Sequence, residues 1–205
     1  MTHCRKIISP PDLLALHQYK PDVYPYLLAS NTSGAVNTRY SILMAYPEQT
    51  IVQNIADDDC LLNIQTPLTS NQADKEYPFI GGWFIFLSYE YASVIESSVN
   101  FHTDKLSLPL AFISRIPAAI IIDHQLQVGI IVSNHDREDL IQQIMFDIAS
   151  APTFNNKTTP VARIEEEDPA IYLGHLEKTH EYIKNGDIFQ ANLFPSHYNQ
   201  GHSPL

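Results

Sequence analysis

The chain has 205 residues, 12 Lys and Arg against 23 Asp and Glu, a formal net charge of −11, 44% hydrophobic residues and 10% aromatic ones. A chain this long can remove roughly 70% of its unfolded surface from water, and 11 Tyr and 9 Phe supply bulky material for a core, so disorder throughout is excluded. The acidic balance opposes a sequence-independent grip on nucleic acid or anionic membrane, which needs clustered Lys and Arg, and no apolar run approaches the roughly 20 residues of a membrane helix.

The amino terminus, Met1-Thr-His-Cys-Arg-Lys-Ile-Ile-Ser-Pro10, lacks the apolar region of a signal peptide. Cys4 and Cys60 belong to no C-x-x-C and form no disulfide framework. Reduced thiols and a soluble, cytoplasmic protein are expected. Leu27-Leu-Ala-Ser30 leads into a polar stretch that ends at Arg39-Tyr40, with a hydroxyl and a guanidinium at opposite ends. Such a stretch can clasp an amino-acid carboxylate, because Arg presents a planar donor fork; Arg39 at the start of a strand is equally read as a surface residue.

Tyr40 to Ala45, Thr50 to Asn54, Gly82 to Tyr89, Ala118 to Ile122 and Val128 to Val132 are short β-branched or aromatic runs bounded by Pro, Gly, Asn or Asp, and they predict strands. Gly81-Gly82 before Trp83 permits positive φ, a bulge or close approach by another segment. Asp123 to Gln125 is expected to turn the chain between two arms of a hairpin, although Gln is a weak turn former. Asp136 predicts an N-cap for a helix to Ala149, with Leu140, Ile141, Ile144, Met145 and Ile148 on one stripe. Residues 1–155 are therefore expected to be a mainly antiparallel α+β layer, with the Gly82 to Tyr89 strand central and this helix packed by Leu140, Ile144 and Ile148.

Ala151 to Pro160 is rich in turn formers and reads as a linker. Beyond it, Asp168 followed by Pro169 opens a second helix that carries Tyr172, Leu176, Thr179 and Ile183 on one face and stops at Asn185-Gly186. Gln190 to Leu193 predicts a strand. Residues 194–205 show no core pattern.

Local catalytic signatures are absent: no G-x-G-x-x-G, Walker loop, H-E-x-x-H or G-x-S-x-G. His135-Asp136 could form a metal dyad, but the cap explains Asp136 better. His175 and His180 are five apart on a helix and cannot chelate one ion as an i, i+4 pair would. Asp57 to Asp59 and Glu165 to Glu167 are read as solvated faces, the second placed where a helix amino terminus favours negative charge. No metal site is expected in this chain.

Three segments, in order, resemble the chorismate-utilising family that includes anthranilate synthase component I and aminodeoxychorismate synthase component I. Tyr24-Pro-Tyr-Leu-Leu-Ala-Ser30 followed by Thr38-Arg39-Tyr40 resembles the family's "P-x-L-L-x-S" strand and its Arg-Tyr strand. Tyr77-Pro-Phe-Ile-Gly-Gly-Trp-Phe-Ile-Phe-Leu-Ser-Tyr-Glu90 is similar to "PF-x-GG-x-x-G-Y-x-x-Y-D/E". Tyr182-Ile-Lys-Asn-Gly-Asp-Ile-Phe-Gln-Ala-Asn-Leu193 is similar to "I-x-x-GD-x-(Y/F)-Q-V-N-L", which opens the family's chorismate-binding domain. Gly81 to Tyr91 looks closer to the aminodeoxychorismate branch, and Ala29 stands where anthranilate synthases commonly carry the glutamate of "L-L-E-S".

The resemblance implies an anthranilate synthase component I-like amino-terminal domain over 1–155 and an incomplete start of a chorismate-binding domain over 156–205. It implies amination of chorismate at the 4-position, on the route to para-aminobenzoate and folate, with ammonia from a glutamine amidotransferase subunit and with Mg2+ polarising the ring. A lysine nucleophile in "P-I-K-G-T", "D-L-x-R-N-D", "F-P-x-G-S-I-T-G-A-P-K" and the Mg2+-binding glutamates are not in these residues. The resemblance therefore reads the chain as a truncated, inactive part with no catalytic residue. An effector pocket for tryptophan is implied at Ser30, Asn37, Thr38, Arg39 and Tyr40. An anthranilate synthase fragment and a non-catalytic tryptophan-binding module are the alternatives.

Overall fold

The computed structural model describes residues 3–30, 38–55, 59–64, 77–96, 98, 108–153, 164–166, 168–193 and 197–199. The chain divides into two units, Met1–Phe154 and Asn155–Leu205.

In the first unit, β1 (His3–Ile7), α1 (Leu13–Tyr19), β2 (Tyr26–Leu28), β3 (Tyr40–Ala45), β4 (Gln49–Gln53), β5 (Gly82–Leu87), α2 (Ala92–Ile95), β6 (Ala111–Ile116), β7 (Ala118–Asp123), β8 (Val128–Ser133) and α3 (Asp139–Ser150) follow in order. A five-stranded antiparallel sheet has the order β1-β8-β7-β3-β2, and a three-stranded one the order β4-β6-β5. The α+β expectation holds. Only Pro117 separates β6 from β7; having no N–H to leave unpaired, it suits the point where the chain leaves one sheet for the other.

Strand alternation gives the larger sheet two apolar faces. Leu43, Ala45, Ala118, Ile120 and Ile131 face Leu13 and Leu16 of α1 and Leu140, Ile141 and Ile144 of α3, with Met145 and Ile148 packed alongside. Ala119, Ile121, Ile130 and Val132 form the other face, covered by Tyr77 and Phe79. Tyr26 of β2 stacks on Phe84 of β5 with ring centroids 4.1 Å apart, and meets Phe112 of β6 edge-on.

Several expectations are corrected. The Gly82 strand is an edge, not the centre: β6 pairs on both sides, with β4 and with β5. Ser114 and Arg115 interrupt the apolar run of β6 and hide it from a periodicity reading, yet Ser114 is buried and bonds Thr50, and Arg115 pairs with Glu48. The helix predicted from Asp136 starts at Asp139, with Glu138 as N-cap. The intervening turn is closed by Arg137 N–H donating to the Asn134 carbonyl, and the Arg137 guanidinium binds Glu48 and Asp139. β1 and α1 escaped the sequence reading. The first is a basic edge strand defined by its pairing with β8, and the second is a seven-residue helix capped by Asp12.

Gly81 and Gly82 have φ of 111° and 151°. A Cβ at Gly81 would fall on the Asn134 side chain, so both reasons for glycine operate there. The hairpin turn covers 124–127 and Gln127 takes φ 55°. The Asp123 carboxylate makes it possible by accepting from the backbone N–H of Gln125 and Leu126.

In the second unit, α4 (Pro169–Asn185) has Asp168 accepting from Ala170 N–H and Gly186 in the left-handed conformation at its end. Tyr172, Leu176 and Thr179 are half-buried, whereas Ile183 is exposed. The strand expected over Gln190–Leu193 is not formed. A strand exists through its ladder partner, and in this unit the ladder joins β9 (Ile164–Glu166) to β10 (His197–Asn199).

Candidate functional site

Ser30 follows β2, and Thr38 and Arg39 precede β3, so the antiparallel β2–β3 pairing, ending at Leu28 opposite Ile42, brings these predicted residues to one end of the large sheet. Ser30, Thr38, Arg39 and Tyr40 are half-buried. Asn37 lies outside the described residues.

The Ser30 backbone N–H donates to Ser41 Oγ at 3.0 Å. That oxygen, on a residue only 5% exposed, also lies 2.8 Å from His124 Nε2. Arg39 sends Nε and Nη2 to Asp123 Oδ2 at 3.0 and 2.6 Å, and its guanidinium carbon sits 4.8 Å from the Tyr40 ring centre. The Arg39 fork, read as a carboxylate clasp, thus holds a carboxylate of the protein itself. The Arg39 hydrogen bonds, against the cost of burial and aided by the Gln125 and Leu126 N–H groups, hold the Asp123 carboxyl below its usual range. The same bond raises the Arg39 pKa further. The His124 N–H donates to the Arg39 carbonyl at 2.8 Å.

Sequence reasoning missed Ser41, Asp123 and His124 as members of this cluster. Asp123 and His124 were read only as a turn, and the register that sets Tyr40 opposite Asp123 joins residues distant in the chain. The signal available was the residue type: an Asp-His pair at a hairpin tip and an Arg at the start of a strand.

A second polar cluster lies below α3. Asp147, 2% exposed, accepts from Lys20 Nζ at 2.6 Å, Tyr24 OH at 2.8 Å and Tyr46 OH at 3.3 Å. Lys20, Tyr46 and Asp147 line an open groove of about 380 Å³ with Gln142, Gln143 and Phe146. Burial, and then the Asp147 hydrogen bond, push the Tyr24 phenol far above its usual range.

The remaining motifs stay apart. The His135 carbonyl accepts from His3 Nε2, and Asp136 lies in the turn before α3. His175 and His180 are exposed on α4. Asp59 caps the short turn Cys60–Asn63 and accepts from Tyr91 OH at 2.5 Å. Asp57, Asp58 and Glu167 lie outside the described residues. Among the described residues no three His, Cys, Asp or Glu gather as a metal site, and no helix is long and apolar enough to cross a membrane. Both cysteines are free thiols, Cys4 exposed and Cys60 buried.

A model of the family described as "chorismate binding enzyme" matches residues 24–196, spanning both units. The chain belongs to the chorismate binding enzyme family. It is 30% identical over 135 residues to an anthranilate synthase component I-like protein of Synechocystis, covering 65% of this chain and 27% of that protein. It is 25% identical to anthranilate synthase component 1 of Bacillus subtilis, covering 82% of this chain and 41% of the relative. It is 24% identical to aminodeoxychorismate synthase component 1 of Salmonella typhimurium, covering 87% and 43%. The chain thus spans well under half the length of these curated relatives. The crystal structure of anthranilate synthase component I from Streptococcus pneumoniae superposes with a TM-score of 0.56 at 20% identity, over 77% of this chain and 41% of that one. The fold is therefore anthranilate synthase component I-like.

Proposed function

We infer that these residues are the amino-terminal part of an aminodeoxychorismate synthase component I, with an amino-terminal domain over 1–155 and the opening of the chorismate-binding domain over 156–205. The observation that carries this branch is the stretch Gly81 to Tyr91, supported by Ala29 in place of the glutamate of "L-L-E-S". In the complete enzyme chorismate loses its 4-hydroxyl and gains an amino group, with ammonia delivered by a glutamine amidotransferase subunit in the cytoplasm. On this reading Mg2+ and the groups that hold it belong to the rest of the complete enzyme. Ser30, Asn37, Thr38, Arg39 and Tyr40 are assigned to an amino-acid effector such as tryptophan. Since Arg39 is paired with Asp123, the ligand carboxylate shares that guanidinium rather than claiming it.

The anthranilate synthase reading has its own support: two of the relatives and the solved structure carry that name. The product decides between the two. The complete protein that this reading implies is supplied with chorismate, Mg2+ and ammonia. Formation of 4-amino-4-deoxychorismate is expected; fluorescent anthranilate as the product would overturn the assignment.

A further inference from the structure

We propose that Ser41 and His124 are positioning residues for the amino-acid site at Ser30, Arg39 and Tyr40, which makes the tip of the β7–β8 hairpin part of that site's machinery. The inference rests on the effector reading above and adds what fixes the site's geometry. Ser41 Oγ has two lone pairs and one proton. A backbone N–H can only donate, so Ser30 takes one lone pair from a distance of 3.0 Å. His124 Nε2, 2.8 Å away, engages the same oxygen through the hydroxyl proton or through the remaining lone pair, as the imidazole tautomer sets. Ser41 is 5% exposed, so water does not readily replace either partner, and a buried polar group left without one is costly.

The same turn holds the other end of the site. The His124 N–H donates to the Arg39 carbonyl, and the neighbouring Asp123 takes the Arg39 guanidinium. Ser30 on one side and Arg39 on the other are thus both referred to residues 123 and 124, although neither lies near them in sequence. A ligand that touches the Ser30 hydroxyl and the Tyr40 ring meets them at a separation set by this pair. Ser41 and His124 touch no ligand themselves; they act through Ser30 and Arg39.

The test uses the 205-residue chain, l-tryptophan as the calorimetric probe, and amide exchange at Ser30 measured by NMR without ligand. Ser41→Ala and His124→Leu are expected to weaken tryptophan binding about three- to tenfold, the worth of one hydrogen bond, and to speed Ser30 exchange by a similar factor. His124→Gln, whose side-chain amide reaches about as far as Nε2 and can accept from or donate to Ser41, is expected to stay within about twofold of wild type on both measures, the margin of a retained hydrogen bond. A general loss of packing would not be rescued this way, and urea midpoints check that all variants fold. Wild-type binding with unchanged affinity in Ser41→Ala and His124→Leu overturns the positioning role, as does a His124→Gln variant as weak as His124→Leu. Absence of tryptophan binding in the wild type sinks the effector reading instead, and unchanged Ser30 exchange in Ser41→Ala then refutes the geometric claim independently.

Discussion

Asp123 is the residue on which most of the hairpin end depends, since one carboxylate neutralises Arg39 and satisfies two turn N–H groups. Asp123→Ala leaves those donors without their acceptor, and a loss of about 2 kcal/mol is expected in urea unfolding. Asp123→Asn keeps an acceptor and should cost less. The folded pKa is lowered from 3.8, so this stabilisation is present above the unfolded value and is lost as pH falls through the depressed folded value. The gap between wild type and Asp123→Asn should therefore hold at neutral pH and close only below about pH 4. At the other end of the scale, the Tyr24 and Tyr46 phenols are raised, chiefly by burial and further by the Asp147 carboxylate beside them. Raised groups contribute stability that is complete below the unfolded pKa and is lost as pH rises past it. Absorbance titration should show these tyrosines silent until the fold gives way above about pH 10, the ordinary phenol value. Smooth ionisation of every tyrosine with the fold intact would contradict their burial against Asp147.

Two glycines with positive φ separate strain from crowding among the elements. Gly186 has φ 81° with open space around it, whereas Gly81 has φ 111° and Asn134 where a Cβ would go. Gly186→Ala should cost about 1 kcal/mol, the left-handed penalty at a helix end. Gly81→Ala adds displacement of the β8–α3 turn and should cost more than about 2 kcal/mol. Thermal melts of the two variants test the ranking; equal losses would show that Asn134 moves aside freely. β5 itself is an edge with Ile85, Phe86 and Leu87 exposed, and an edge of that kind is open to pairing with another chain.

For the molecule as a whole, the 205 residues alone are expected to bring about no conversion of chorismate, even with Mg2+ and ammonia in excess, while keeping their folded circular dichroism. Proximity of nucleophile, metal and proton donor supplies much of an enzyme's rate, and among the described residues no three His, Cys, Asp or Glu gather to hold the metal. Turnover that survives repurification and follows the folded chain would place an active site within these residues and end the fragment reading.

What the amino-acid order determined by itself was local. The apolar stripe of α3 and the Asp168-Pro169 start and Gly186 stop of α4 were legible because a cap, a proline or a 3.6-residue period acts over a few residues. The hairpin β7–β8 and strand β3 were legible because β-branched runs end at turn formers. Three motifs in order carried the family. What only the tertiary structure decided was pairing. β6 takes the centre of its sheet despite Ser114 and Arg115, because Thr50 of β4 and Glu48 just before that strand satisfy them. Gln190–Leu193 forms no strand for want of a ladder. Arg39 meets Asp123, and Ser41 meets His124, because antiparallel register brings together residues more than 80 positions apart, a distance over which no local preference reaches.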